Sequence, residues 1–189
     1  MSLQSTASQT VGPFFWMCFS TATCEDLAPE GVAGERIVIR GRVLDGNHTI
    51  VPDAVIEIWQ ANAEGKYAHP EDKQDKPTDP RFKGYGRSLT DDAGNFCFRT
   101  IRPGRVPGLN GTLQAPHIAV TLFARGLLKH LVTRMYFPDE PSNAGDVVLN
   151  LVPEQRRSTL IAQRVPDADN IFEWNIVLQG EGETVFFDY

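Results

Sequence analysis

Residues 37–67, IVIRGRVLDGNHTIVPDAVIEIWQANAEGKY, constrain the fold more than any other stretch of the chain. Ile37, Ile39, Gly41 and Val43 alternate with Val38, Arg40 and Arg42, and this period of two suits a half-buried strand. Asp45-Gly46-Asn47 supplies turn chemistry. Val55–Trp59 follows as a second strand in which β-branched residues surround a single Glu57, and a polar, Gly-containing run closes it and delivers Tyr67.

The rest of the chain repeats this grammar. Residues 85–90 and 95–101 are strand-like, with Phe96 and Phe98 alternating against Cys97 and Arg99, and Asp91-Asp92-Ala93-Gly94 between them predicts a hairpin. Two further strands, 117–124 and 131–137, are joined through Arg125-Gly126. Residues 171–178 and 184–187 read as two more around Gly180-Glu181-Gly182. The one convincing helical piece is 154–162, with Pro153 favourably placed at its first turn. Residues 68–84 carry three prolines among many charges and are expected to form a long surface excursion; residues 102–111 are a Pro/Gly loop. Many short strands, Gly/Pro turns and little helix predict an all-β, single-domain, antiparallel-rich β-sandwich over residues 1–189, with long loops and one short helix near 154–162. A polar start gives way abruptly to Pro13-Phe14-Phe15-Trp16-Met17. Residues 1–17 are therefore expected to be an arm that docks, either on the chain's own core or on another surface.

A net charge of -6 and a pI near 5.2 argue against a nucleic-acid groove binder, since the longest basic cluster is Arg156-Arg157. No apolar run reaches membrane-spanning length, and the N-terminus lacks the basic and apolar regions of a signal peptide, so a cytoplasmic location is expected. Cys18, Cys24 and Cys97 form an odd set without C-x-x-C spacing, which predicts free thiols rather than a disulfide framework or a zinc site.

The run GRVLDGNHTIVPDAVIEIWQANAEGKY, followed by DPRFKGYGRSLTDDAGNFCFRTIRPG and APHIAV, resembles the intradiol ring-cleaving dioxygenases over nearly the whole chain, residues 8–189. The resemblance implies a β-sandwich and the O2-dependent cleavage of an aromatic ring between two hydroxyl-bearing carbons. Catalytic members hold a non-haem ferric ion with two tyrosinates and two histidines; anionic phenolates and imidazoles suit this hard, highly charged ion. By the resemblance the first tyrosine falls on Tyr67, the second on Val106, and the histidine pair on His117 and Ala119. Val106 and Ala119 have no donor atom, so the expectation is a degenerate site that binds no metal, with Tyr67 and His117 buried and hydrogen-bonded as such residues usually are.

This pattern is similar to the non-metal chain of a two-chain member of the family, whose partner of the same fold carries the Fe(III). The resemblance further implies an α–β heteromer acting on an aromatic dihydroxy acid, with Thr10, Gly12, Pro13 and Arg134 lining the substrate pocket of the iron-bearing β chain. Glycine lets backbone approach a flat ring, and a guanidinium raises the positive potential for a carboxylate. On its residues alone, Arg134 is equally an outward strand arginine paired to an acidic neighbour. The closing Val185, Phe186 and Phe187 suit either a subunit interface or a last core strand. Two other readings stand beside this one: a self-sufficient enzyme with a rearranged iron site, and a non-catalytic stand-alone binding module.

Overall fold

The computed structural model of the chain describes residues 4–188. Its architecture follows from where each strand turns its apolar face. β1 (Arg36–Leu44) buries Ile37, Ile39 and Val43 and exposes Arg36, Arg40 and Arg42, while β2 (Val55–Trp59) buries Ile56 and Ile58 and leaves Glu57 and Trp59 half-buried on the opposite face. The two strands belong to different sheets. β2 joins β3 (Tyr85–Leu89), β7 (His117–Phe123) and β8 (Leu131–Tyr136) in an antiparallel sheet of order β3-β2-β7-β8. β1 pairs with β4 (Asn95–Ile101) in antiparallel fashion and with β10 (Ala168–Glu173) and β11 (Ile176–Val177) in parallel, and β9 (Gln163–Val165) pairs with β10. β5 (Val106–Pro107) and β6 (Leu113–Gln114) form a small ribbon.

The sheets meet through Ile39, Phe96, Phe98 and Phe172 on one side and Ile56, Ile58, Ile118, Val120 and Leu122 on the other. Each such side chain contributes about 1.5–3 kcal/mol on burial. A second, smaller cluster of Ala115, Tyr136, Leu149, Val152 and Leu160 packs at the end of β8.

The all-β sandwich read in the sequence is the architecture observed, but several elements differ. The predicted 85–101 hairpin is not one. Asp91 closes the turn by accepting from the backbone N–H groups of Ala93 and Asn95, yet β3 bonds to β2 and β4 to β1, so the turn carries the chain from one sheet to the other. The predicted 154–162 helix is α-helical only over Glu154–Arg157 (α2) and continues as a 3-10 turn through Leu160, because Ile161 must extend to bridge Tyr136. The single strand expected at 171–178 breaks at Trp174-Asn175. There the Trp174 carbonyl sits 1.7 Å from where a Cβ on Gly41 would stand, a close approach that only glycine allows. Residues 184–187 form no strand of their own: Phe187 makes one bridge to Val132, and Val185, Phe186 and Phe187 pack against the chain's own core clusters. The 68–84 excursion has no regular element but is pinned by buried Phe82 and by hydrogen bonds such as Gln74 Nε2 to the Gly65 carbonyl (2.9 Å).

The N-terminal arm contains a helix that the sequence did not announce, α1 (Pro13–Phe19), begun by Pro13 at its first turn. Phe15 packs on Phe123 at the outer face of the four-stranded sheet, and the Arg87 guanidinium stands 4.0 Å above the Phe19 ring. No residue of this helix is buried, and Phe14 (74% exposed) and Met17 (56%) face outward. Residues 1–3 of the expected arm and Tyr189 lie outside the described residues. Among the described residues no helix is long and apolar enough to cross a membrane.

Candidate functional site

Directly opposed residues of antiparallel strands share a face, so register alone builds the floor of the site. One row runs Tyr85, Trp59, Ala119, Arg134 across β3, β2, β7 and β8; two residues along, His117 stands opposite Tyr136. Beside this row Glu57 accepts from Arg87 (2.6 Å) and from the Tyr85 hydroxyl (2.7 Å), and burial followed by that hydrogen bond pushes the Tyr85 phenol up to about 12.

Two loops cover the row. The loop after β2 and the loop after β4 approach backbone to backbone: a Cβ on Gly65 (φ +75) would lie 1.8 Å from the Arg105 carbonyl, and one on Gly104 would lie 2.3 Å from the Ala63 carbonyl. The Gly104 N–H donates to the Asn62 carbonyl at 2.9 Å, and buried Gln60 links the two loops by donating to the Ile101 carbonyl and accepting from Thr100. These glycines thereby bring Tyr67 and Val106 to one end of the sheet.

Tyr67 lies flat on Trp59, with ring centroids 5.9 Å apart and planes 7° from parallel, and its backbone N–H donates to Asp72 at 2.8 Å. Burial raises its phenol pKa, Arg134 opposes that shift, and Asp72 adds to it, so Tyr67 is a neutral phenol at neutral pH. His117 is buried with Nδ1 2.8 Å from the Ala115 carbonyl. A carbonyl only accepts, so Nδ1 carries the hydrogen and Nε2 keeps its lone pair, the posture of a ligating imidazole. Burial, reinforced by Arg134, lowers its pKa to about 4. Val106 is buried in β5 opposite Gln114, whose Oε1 accepts from Arg134 Nη1 at 2.7 Å. Ala119 stands directly opposite Arg134 in its row.

Tyr67, Val106, His117, Ala119 and Arg134 are thus brought together. Thr10, Gly12 and Pro13 are not among them within this chain. Thr10 Oγ1 accepts from the Gly126 N–H at 2.7 Å and Phe15 rests on Phe123, which places the arm at the far end of the same outer face, about 13 Å from Ala119 at about 3.3 Å per strand residue. Gly12 is extended (φ -92), and a Cβ there would meet nothing within 4 Å, so nothing in this chain demands glycine.

Sequence reasoning missed Gln114, Trp59 and the Tyr136–Asp146 pair. Buried Asp146 accepts from the Ala115 N–H (2.7 Å), from the Val148 and Leu149 N–H groups and from the Tyr136 hydroxyl (3.1 Å), and so fixes the chain entering His117. Its signal in the sequence was an acidic residue directly before the apolar Val147-Val148-Leu149.

The donor set does not fit a ferric ion. Tyr67 and His117 offer two donors, Val106 and Ala119 none, and Arg134 adds a fixed positive charge among them. Among the described residues no group of three or more His, Cys, Asp or Glu is placed to hold a metal.

Comparison with known proteins agrees with the fold. A family model described as dioxygenase matches residues 12–180. The protocatechuate 3,4-dioxygenase alpha chain of Pseudomonas putida is 40% identical over 99% of this chain and 98% of its own length. The beta chain of that enzyme from Burkholderia cepacia is 41% identical over 80% of this chain and 67% of its own. An intradiol ring-cleavage dioxygenase from Tetranychus urticae, 23% identical, superposes with a TM-score of 0.62 over 81% of this chain and 84% of its own and shares the fold. The chain belongs to the dioxygenase family, among its intradiol ring-cleaving members.

Proposed function

We propose that this chain is the metal-free alpha subunit of a protocatechuate 3,4-dioxygenase, and that it completes the substrate pocket of an iron-bearing beta chain of the same fold. The observation that carries this reading is the loss of two donor positions, Val106 and Ala119, in a chain that matches an alpha chain end to end. The assembled enzyme inserts both atoms of O2 between the hydroxyl-bearing carbons of protocatechuate and yields 3-carboxy-cis,cis-muconate. The partner's iron supplies the chemistry with dioxygen. This chain supplies position and charge.

Two features support the division of labour. Residues 1–17 act as an arm on the partner: α1 is apolar, buries no residue in its own chain and presents Phe14 and Met17 outward. Gly12 has no structural need to be glycine here, which fits a role in admitting the ring of a substrate bound to the partner, with Thr10 adding a hydroxyl and Pro13 fixing the turn into α1. Arg134, on the same outer face, raises the positive potential for the substrate carboxylate.

Co-expression with a protocatechuate 3,4-dioxygenase beta chain tests the reading. The two chains are expected to co-purify as an active complex that consumes O2 with protocatechuate. A chain that remains alone and a beta chain equally active without it would overturn the proposal.

A further inference from the structure

Ala119 and Arg134 stand directly opposite one another, so on the shared face of β7 and β8 a small side chain leaves room for a long one. Arg134 uses that room. Its Nη1 donates to Gln114 at 2.7 Å, and Gln114 is itself paired with Val106, so the guanidinium is tied to the loop that holds the second donorless position. Its charge is felt at both remaining donors: it opposes the upward shift of Tyr67 and adds to the downward shift of His117. It also makes a hydrogen-bond contact with the Tyr136 hydroxyl, opposite His117. A permanent cation is therefore fixed among all four positions of the ligand set, anchored by a neutral amide.

We infer that Arg134 holds the electrostatic place of a metal in this chain: its guanidinium keeps a fixed positive charge beside the remaining donors and closes the pocket to metal cations even when donors are supplied. The inference rests on the reading of this chain as the iron-free one and adds a cause to it. Two missing donors alone describe a site that two substitutions would restore. A fixed cation describes a site that stays closed after them, because a doubly or triply charged ion beside a guanidinium is repelled, and half-burial of Arg134 weakens the screening of that repulsion by water.

The test uses the full chain carrying V106Y and A119H, compared with the same pair plus R134Q or R134K, with bound iron measured by metal analysis and by the tyrosinate-to-iron absorption band. The pair alone and the pair with R134K are expected to hold less than a tenth of an equivalent of iron, and the pair with R134Q close to one. Stoichiometric iron in the pair alone, or no gain with R134Q in chains that melt cooperatively, would overturn the inference. Iron in the unmodified chain would instead overturn the metal-free reading, so the two failures are distinct. Because two new large side chains risk unfolding the pocket, the comparison is repeated with A119H alone against A119H with R134Q, using Co(II) as the probe. Co(II) is expected to bind at least ten-fold more tightly when Arg134 is removed; equal affinity would contradict the inference.

Discussion

At the scale of single residues, His117 stands where the proposed reading places a former ligand. The fold still holds its Nδ1 against the Ala115 carbonyl, but burial and Arg134 have lowered its pKa from 6.5 to about 4. Between those values the unfolded chain takes up a proton that the folded chain refuses. The His117 contribution to stability is therefore complete above about pH 6.5 and is lost as the pH falls toward 4, with a full span of roughly 3 kcal/mol. Urea unfolding at pH 7 and pH 5 is expected to show this slope in the natural chain and a shallower one in His117→Gln; equal slopes would remove His117 as its source. In the assembled enzyme Arg134→Ala is expected to lower kcat/KM for protocatechuate about 10- to 100-fold, the effect of losing one charge-assisted interaction of about 1.5–3 kcal/mol. Unchanged kinetics would take Arg134 out of the substrate pocket.

At the scale of elements, two glycines make opposite statements. Gly65 sits at φ +75 with the Arg105 carbonyl where a Cβ would go, so Gly65→Ala is expected to destabilise the isolated chain by more than about 2 kcal/mol, read as a lowered urea midpoint. Gly12 is extended and uncrowded, so Gly12→Ala is expected to alter that midpoint by less than about 1 kcal/mol while reducing turnover of the complex. A large stability loss in Gly12→Ala would assign that glycine to the chain's own fold. The strands themselves were legible in the sequence where the period of two was clean, as in β1, β2 and β7. Their partners were not, because Asp91-Asp92-Ala93-Gly94 looks the same whether it closes a hairpin or passes the chain between sheets; long-range register decides that. The same limit hid the site's second layer. Tyr67, His117 and the donorless Val106 and Ala119 could be placed by resemblance, whereas Gln114 meets Arg134 only through the pairing of β5 with β6 and β7 with β8. The helix α1 was missed because PFFWMCF has no polar face to give it a period, and that absence is itself informative about what covers it.

At the scale of the whole molecule, the proposed reading has the chain keep the fold of a dioxygenase while the metal chemistry belongs to a partner. The exposed face of α1 supports that reading. Replacing Phe14 and Met17 together by Ser is expected to leave the isolated chain's melting temperature within a few degrees, since neither side chain is buried, and to weaken association with the beta chain at least ten-fold in a sedimentation or surface-binding measurement. Equal affinity would show that the arm docks elsewhere. The central claim is that each pair of chains contains one iron and that none of it belongs to this chain. Metal analysis of the co-expressed complex, normalised to the two chain concentrations and set beside this chain purified alone, measures it directly. One iron per pair and less than a tenth of an equivalent in the lone chain is the expected result; two irons per pair, or a coloured lone chain with stoichiometric iron, would contradict the account.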